Sequence, residues 1–203
     1  FDHADGNQAL GPDGSRLIAQ ANSRRMMLDD HVINLVGLTY NQKAYPPSAL
    51  PTFTYDDTMQ IHLNGGQIDL MHFGAAHTTG DTAIIFREHN AVHLGDVYNN
   101  TGYPFIDADN GGSLEGIIAF CQATLAELNR DSIVIPGHGP ISDYQGLQNY
   151  ISILSSVRDR MKKMIREGAD LDAIEAAKIT AEWDAKMGDP AGFIDRSYVS
   201  LTK

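Results

Sequence analysis

The sequence has one cysteine, one tryptophan and no apolar run near the roughly 20 residues that a membrane span needs. One Cys closes no internal disulfide, and it excludes both a cysteine metal cage and a redox CxxC pair. Basic residues are also scarce. Fifteen Lys and Arg face 26 Asp and Glu, for a formal net charge of −11. So acidic a balance lacks the positive field that nucleic acid or an anionic membrane surface requires. There is no internal repeat and no low-complexity tract. What is there is 203 residues, 42% apolar and 20% charged, the composition of a packed domain rather than of a disordered chain. Eight histidines remain to be explained. A metal held by this chain would rest on imidazole and carboxylate.

The hydropathy pattern predicts sheet first and helix later. Arg16 to Ala19 reads as a strand, Asn22 to Asp29 as a short helix, and the Pro-rich stretch Tyr40 to Pro51 as a loop. Thr52 to Tyr55, Met59 to Leu63, Gln67 to Phe73, Thr82 to Arg87 and Ala91 to Leu94 are short and β-rich, with hairpin signals at Gly65-Gly66 and His89-Asn90. Ser113 to Asn129 repeats its apolar residues at helical spacing, and Ser132 to Ile135 reads as a buried strand. Ser142 with Gln145 resembles a capping box at the head of a long helix, Gly168 closes it, and Asp170 caps another. Residues 1–203 therefore read as one α/β domain of sheet packed on helix, with 143–203 as its helical C-terminal segment.

Five residues stand at strand ends or in glycine-rich turns, where side chains converge at a sheet edge: Asp2, His3, His77, Asp96 and His138. Neutral imidazoles with one or two carboxylates suit Zn, Fe or Mn better than Ca or Mg. Such a set can hold a metal with an open position for water, and a carboxylate between two metals can bridge them.

Four motifs then carry a resemblance. Phe1-Asp2-His3 looks like the end of the His-x-His-x-Asp-His signature of the metallo-β-lactamase superfamily. Ala76-His77-Thr78-Thr79-Gly80-Asp81, His93-Leu94-Gly95-Asp96 and Ile135-Pro136-Gly137-His138-Gly139-Pro140 resemble its next His motif, its bridging-Asp motif and its last His motif, in that order. The match runs from residue 1 to about 150. The resemblance implies a four-layer αββα sandwich and a metal-dependent hydrolase acting on an ester, thioester, lactone or lactam. It also implies two zinc ions in the full-length protein, with Fe or Mn as alternatives. Asp2, His3 and His138 would hold one metal, His77 the other, and Asp96 would bridge; Asp2 would also accept a proton. The two histidines that should precede Phe1 are not in this sequence. The domain is therefore expected to lack its N-terminal part, with an incomplete first-metal site and apolar surface open to homo-oligomer contact.

Asp96 points to the glyoxalase II, lactonase and alkylsulfatase branches, and Cys121, at mid-helix, is read as core. Tyr103 to Asp107 with Gly111-Gly112-Ser113 is similar to a group of uncharacterised bacterial β-lactamase-like hydrolases. The expected partner is a small-molecule substrate, with neither nucleic acid nor membrane. The alternatives are a mono-iron persulfide dioxygenase-like oxidoreductase and an inactive fragment. His31, His62, His72, His89 and His93 match no motif and are read as structural or surface groups. Asp81 is read as a group that orients the turn or His77. Tyr98, Tyr103 and Phe105 are read as packing residues that also stand near a substrate pocket. Arg158, Arg160, Lys162, Lys163 and Arg166 read as a solvated helix face, and Trp183 as a core or docking residue.

Overall fold

The computed structural model describes residues 2–203, so the match at Phe1 lies outside the described residues. Its frame is a six-stranded sheet in the order β10-β9-β8-β7-β6-β5. The strands are β5 (Thr58–Leu63), β6 (Gly66–Met71), β7 (Ala83–Phe86), β8 (Ala91–His93), β9 (Ile133–Ile135) and β10 (Ser142–Asp143). Neighbours are antiparallel except β8 and β9, which run parallel. As a result the C-terminal ends of β6, β8 and β9 reach the same edge of the sheet.

Period-two alternation sends Ile85, Val92 and Val134 to one face, where all three are buried. Helices α3 (Leu114–Ala126) and α4 (Tyr144–Arg166) cover that face. Leu114, Ile117, Ile118 and Cys121 of α3 meet Leu147, Leu154, Val157 and Met161 of α4, all essentially without exposure. Each such aliphatic side chain contributes about 1.5–3 kcal/mol. Helices α5 (Leu171–Ala176), α6 (Ala181–Met187) and α7 (Ala191–Thr202) close this layer.

The other sheet face presents Ile61, Ile68, Ile84 and Phe86. Across a cavity of about 480 Å³ it meets Ile18 and Tyr55, which belong to the parallel pair β1 (Ile18–Gln20) and β4 (Phe53–Tyr55). Helix α2 (Ala21–Met26) follows β1, and Asn22 and Ser23 bond the carbonyls of Thr79 and Gly80. The mixed α/β architecture is as expected, with sheet against helix. Helix α1 (Asn7–Leu10) packs on the turn Pro47–Ala49, and Asn7 donates to the Ala49 carbonyl.

Four local expectations need correction. Residues 31–42, given no structure or assigned to a loop, hold an antiparallel hairpin of β2 (His31–Asn34) and β3 (Thr39–Gln42). The turn between β5 and β6 is Asn64-Gly65, both at positive φ, rather than Gly65-Gly66. Helix α4 is capped by Asp143, whose Oδ1 accepts from the Gly146 N–H, while Ser142 lies in β10 and its Oγ accepts from the Tyr98 hydroxyl. Finally, Arg160 is more than a solvated charge. It stacks 4.8 Å from the Trp183 ring, bonds the Ile179 carbonyl and pairs with Glu182, which ties α4 to α6.

Among the described residues no helix is long and apolar enough to cross a membrane.

Candidate metal centre

The common edge of β6, β8 and β9 gathers the five predicted residues. Asp96 sits in the tight turn Gly95–Val97 after β8. Gly95 has φ +52, a conformation that a side chain resists. His138 follows β9 in the loop between Pro136 and Pro140, and the Asn100 N–H donates to its carbonyl at 2.9 Å. Gly137 lies between the two turns. Its N–H donates to the Gly95 carbonyl at 2.7 Å, and a Cβ there would collide with Asp96 Oδ1. The sequence Pro-Gly-His-Gly-Pro therefore does two things: it stiffens the loop and lets it lie against the Asp96 carboxylate.

His77 lies in the loop from β6 to β7. The start of α3 fixes this loop, since the Ser113 N–H donates to the Ala76 carbonyl and a Cβ on Gly112 or Gly116 would strike its backbone. Asp81 closes the same loop by accepting from the Thr78 N–H and hydroxyl. It orients the turn, as expected. Asp2 and His3 come from the opposite direction, in the turns that lead into α1. Their neighbour Asp5 is held by the Tyr45 hydroxyl at 2.6 Å.

The ligand-capable atoms are close together. His3 Nε2 lies 3.1 Å from His138 Nε2 and 3.0 Å from Asp96 Oδ1. His138 Nε2 lies 3.3 Å from Asp96 Oδ1 and 3.1 Å from Asp2 Oδ2, and His3 Nε2 is 3.6 Å from Asp2 Oδ2. The ligand atoms of this foursome all fall within 4.8 Å of one another. A tetrahedron with metal bonds of 2.0–2.2 Å has edges of about 3.3–3.6 Å. The five separations, 3.0–3.6 Å, lie within that range or up to about 0.3 Å below it.

Asp96 Oδ1 is buried, and its near polar neighbours are the imidazole nitrogens of His3 and His138 at 3.0 and 3.3 Å, neither aligned as a hydrogen bond. A buried carboxylate oxygen without an aligned donor is costly, and a cation in the cage would answer it. The donor set of two imidazoles and two carboxylates thus fits a metal of the zinc type.

The other Asp96 oxygen faces His77, with Nε2 to Oδ2 at 3.5 Å. His77 Nδ1 stands 2.9 Å from the Phe105 carbonyl. A carbonyl only accepts, so Nδ1 carries a proton, and in the neutral ring the Nε2 lone pair points towards Asp96. His93, three residues before Asp96, is arranged in the opposite way. Its Nδ1 accepts from the Gly95 N–H, which leaves that nitrogen unable to bind a metal, and burial lowers its pKa.

Of the aromatic residues near the site, Tyr98 and Tyr103 are core, and Tyr103 stacks on Phe193. Phe105 instead helps to line a cavity of about 240 Å³ that contains Asp2, His77, Asp96 and His138. Ile33 and Leu35 of the β2–β3 hairpin form the opposite wall. This hairpin wall was missed in the sequence. Asp107, in the loop after Asp96, adds a buried carboxyl to the same cavity; burial raises its pKa, and its two oxygens accept from Asn110.

No protein-family model and no curated protein matches this chain. Solved structures do match. A metallo-β-lactamase from Pontibacter korlensis superposes with a TM-score of 0.60 at 15% identity, covering 76% of this chain and 64% of that one. The B3 metallo-β-lactamase BLEG-1 gives 0.59 at 19% identity, covering 76% and 72%. The inverting sec-alkylsulfatase Pisa1 from Pseudomonas sp. gives 0.51 at 13% identity, covering 78% of this chain and 24% of that one. The chain therefore has the metallo-β-lactamase fold, and it spans about two thirds or less of the length of most of these structures.

Proposed function

We propose that this chain is a metal-dependent hydrolase in which Asp2, His3, Asp96 and His138 hold one metal, with zinc the best match to the donors. His77 and the second Asp96 oxygen would serve the other metal of a binuclear pair. The observation that supports this most is the set of five separations of 3.0–3.6 Å among the ligand atoms of Asp2, His3, Asp96 and His138, with Asp96 Oδ1 buried between the two imidazoles. The substrate would be an ester, thioester, lactone or lactam.

A bound zinc would act as a Lewis acid for the developing oxyanion and, with a fifth position open beside its four protein ligands, would lower the pKa of a water there. The chain's own residues divide the remaining work. Asp96 offers one oxygen to the His3–His138 side and the other to His77. The Phe105 carbonyl holds the His77 ring in one tautomer, which keeps Nε2 available as a ligand. Asp2, with a side chain 45% exposed, stands on the solvent side of the cluster, where its carboxylate can take up a proton released in hydrolysis. Ile33, Leu35 and Phe105 wall the adjoining cavity and keep water from the substrate's far side.

The test is turnover of a panel of these four substrate types by the 203-residue chain, with zinc and then with a chelator. Zinc-dependent turnover that falls at least about 100-fold in Asp96→Asn supports the reading. A folded chain that hydrolyses none of them with zinc bound would sink it.

A further inference from the structure

A second chamber of about 170 Å³ adjoins the cavity of the metal centre. The two share Ile33, Thr78 and Asp107 as lining, which places the chamber directly beside the pocket that holds Asp96 and His77. Its far wall is Met26 and Met27 at the end of α2, together with Tyr45. The surface it presents is mainly apolar. His31 and Gln42, cross-strand partners in the hairpin, also border it. His31 Nε2 and Gln42 Oε1 are buried with no hydrogen-bond partner among the described residues, so this side of the wall adds one polar pair to an otherwise apolar surface.

We propose that this chamber is a subsite for an uncharged apolar arm of the substrate, about six carbons long, whose carbonyl lies at the metal centre. The assignment rests on the hydrolase reading given above. Size supports it, because an apolar cavity of about 150 Å³ takes a benzene ring. So does chemistry. Two thioethers and a branched aliphatic form an adaptable apolar wall. An anionic arm would have to leave water with no Lys or Arg on the chamber wall and pass the Asp107 carboxyl at the junction.

The experiment uses the zinc-loaded 203-residue chain and p-nitrophenyl esters from acetate to octanoate. The expected kcat/KM rises roughly fourfold per methylene and levels off near hexanoate. The hexanoate ester with a terminal carboxylate, a mono-ester of adipic acid, falls at least about tenfold below hexanoate itself. Met26→Trp fills the chamber and flattens the chain-length profile. A second readout needs no turnover. In metal-free protein with ¹³C-labelled methionine methyls, 1-hexanol is expected to shift the Met26 and Met27 resonances saturably, while 6-hydroxyhexanoate leaves them in place. A flat chain-length profile in active protein, or methyl resonances indifferent to 1-hexanol, overturns the subsite. If no ester turns over at all, the hydrolase reading fails, and the methyl titration still decides the chamber.

Discussion

His3 Nε2 and His138 Nε2 stand 3.1 Å apart, although 135 positions separate them in sequence. Both side chains are nearly half exposed, at 43% and 47%, so little packing holds them there. Their shared target is the Asp96 carboxylate, and their shared use is a metal. His138→Ala is accordingly expected to leave metal-free stability within about 0.5 kcal/mol of the parent. It should weaken zinc binding at least about 100-fold. Calorimetric zinc titration beside a thermal melt of each protein checks both parts.

Gly137 is a spacer between two ligand turns. A methyl group there meets Asp96 Oδ1 and the Gly95 backbone. Gly137→Ala should therefore move the Asp96 carboxylate and cost about 1–3 kcal/mol of stability by overpacking. Zinc affinity should fall with it, although no ligand has been removed. Parent-like affinity in the folded variant would contradict the placement of this glycine.

Away from the centre, Asp69 of β6 is nearly buried beside Arg87, with Nε to Oδ2 at 2.5 Å. Burial alone would raise its pKa, but the bonds from Gln67, Arg87 and Gln60 outweigh burial and hold it below the usual value. A carboxylate with a depressed folded-state pKa stabilises above its unfolded value of 3.8 and loses that contribution as pH falls below it. Arg87→Leu is expected to cost about 2 kcal/mol at pH 7, after discount for the partly exposed guanidinium. The variant should also lose part of the parent's stability decline below pH 4. Denaturant melts from pH 7 to pH 3 measure both effects.

The hairpin over the centre turns at Val36-Gly37, with φ of 55 and 84. A β-branched residue in the left-handed region costs roughly 1–2 kcal/mol. Val36→Asn supplies a residue suited to this turn and is expected to stabilise the chain by about 1 kcal/mol. Urea unfolding checks it, and an unchanged or lower midpoint would count against the turn geometry.

The same valine explains why the hairpin was not legible in the sequence. Hairpin signals rest on Asn-Gly or Asp-Gly, and Leu35-Val36-Gly37-Leu38 carries no such pair. Exposure also breaks the alternation, since Val32 and Leu38 are apolar yet 54% and 66% exposed. The large sheet was easier to read. Asn64-Gly65 lies between clean strands, and α3 and α4 keep their apolar spacing over many turns.

His77, Asp96 and His138 were legible because each follows a strand in Gly-rich turn chemistry, and Asp2 and His3 through the resemblance of their pair to a known signature. The hairpin wall was not, because Ile33 and Leu35 owe their place to tertiary contacts, such as Asn110 Nδ2 donating to the Val32 carbonyl at 3.0 Å. Arg160 shows the same limit. A basic side chain on a helix reads as solvated until α6 places Trp183 beneath it.

The most direct test of the central claim is metal stoichiometry and affinity in the folded 203-residue chain, by zinc titration with the metal content measured after dialysis. The account predicts at least one zinc per chain at the Asp2, His3, Asp96 and His138 cluster, lost in Asp96→Ala. A folded chain with all four residues intact that retains no zinc, or that binds it equally well in Asp96→Ala, would contradict it.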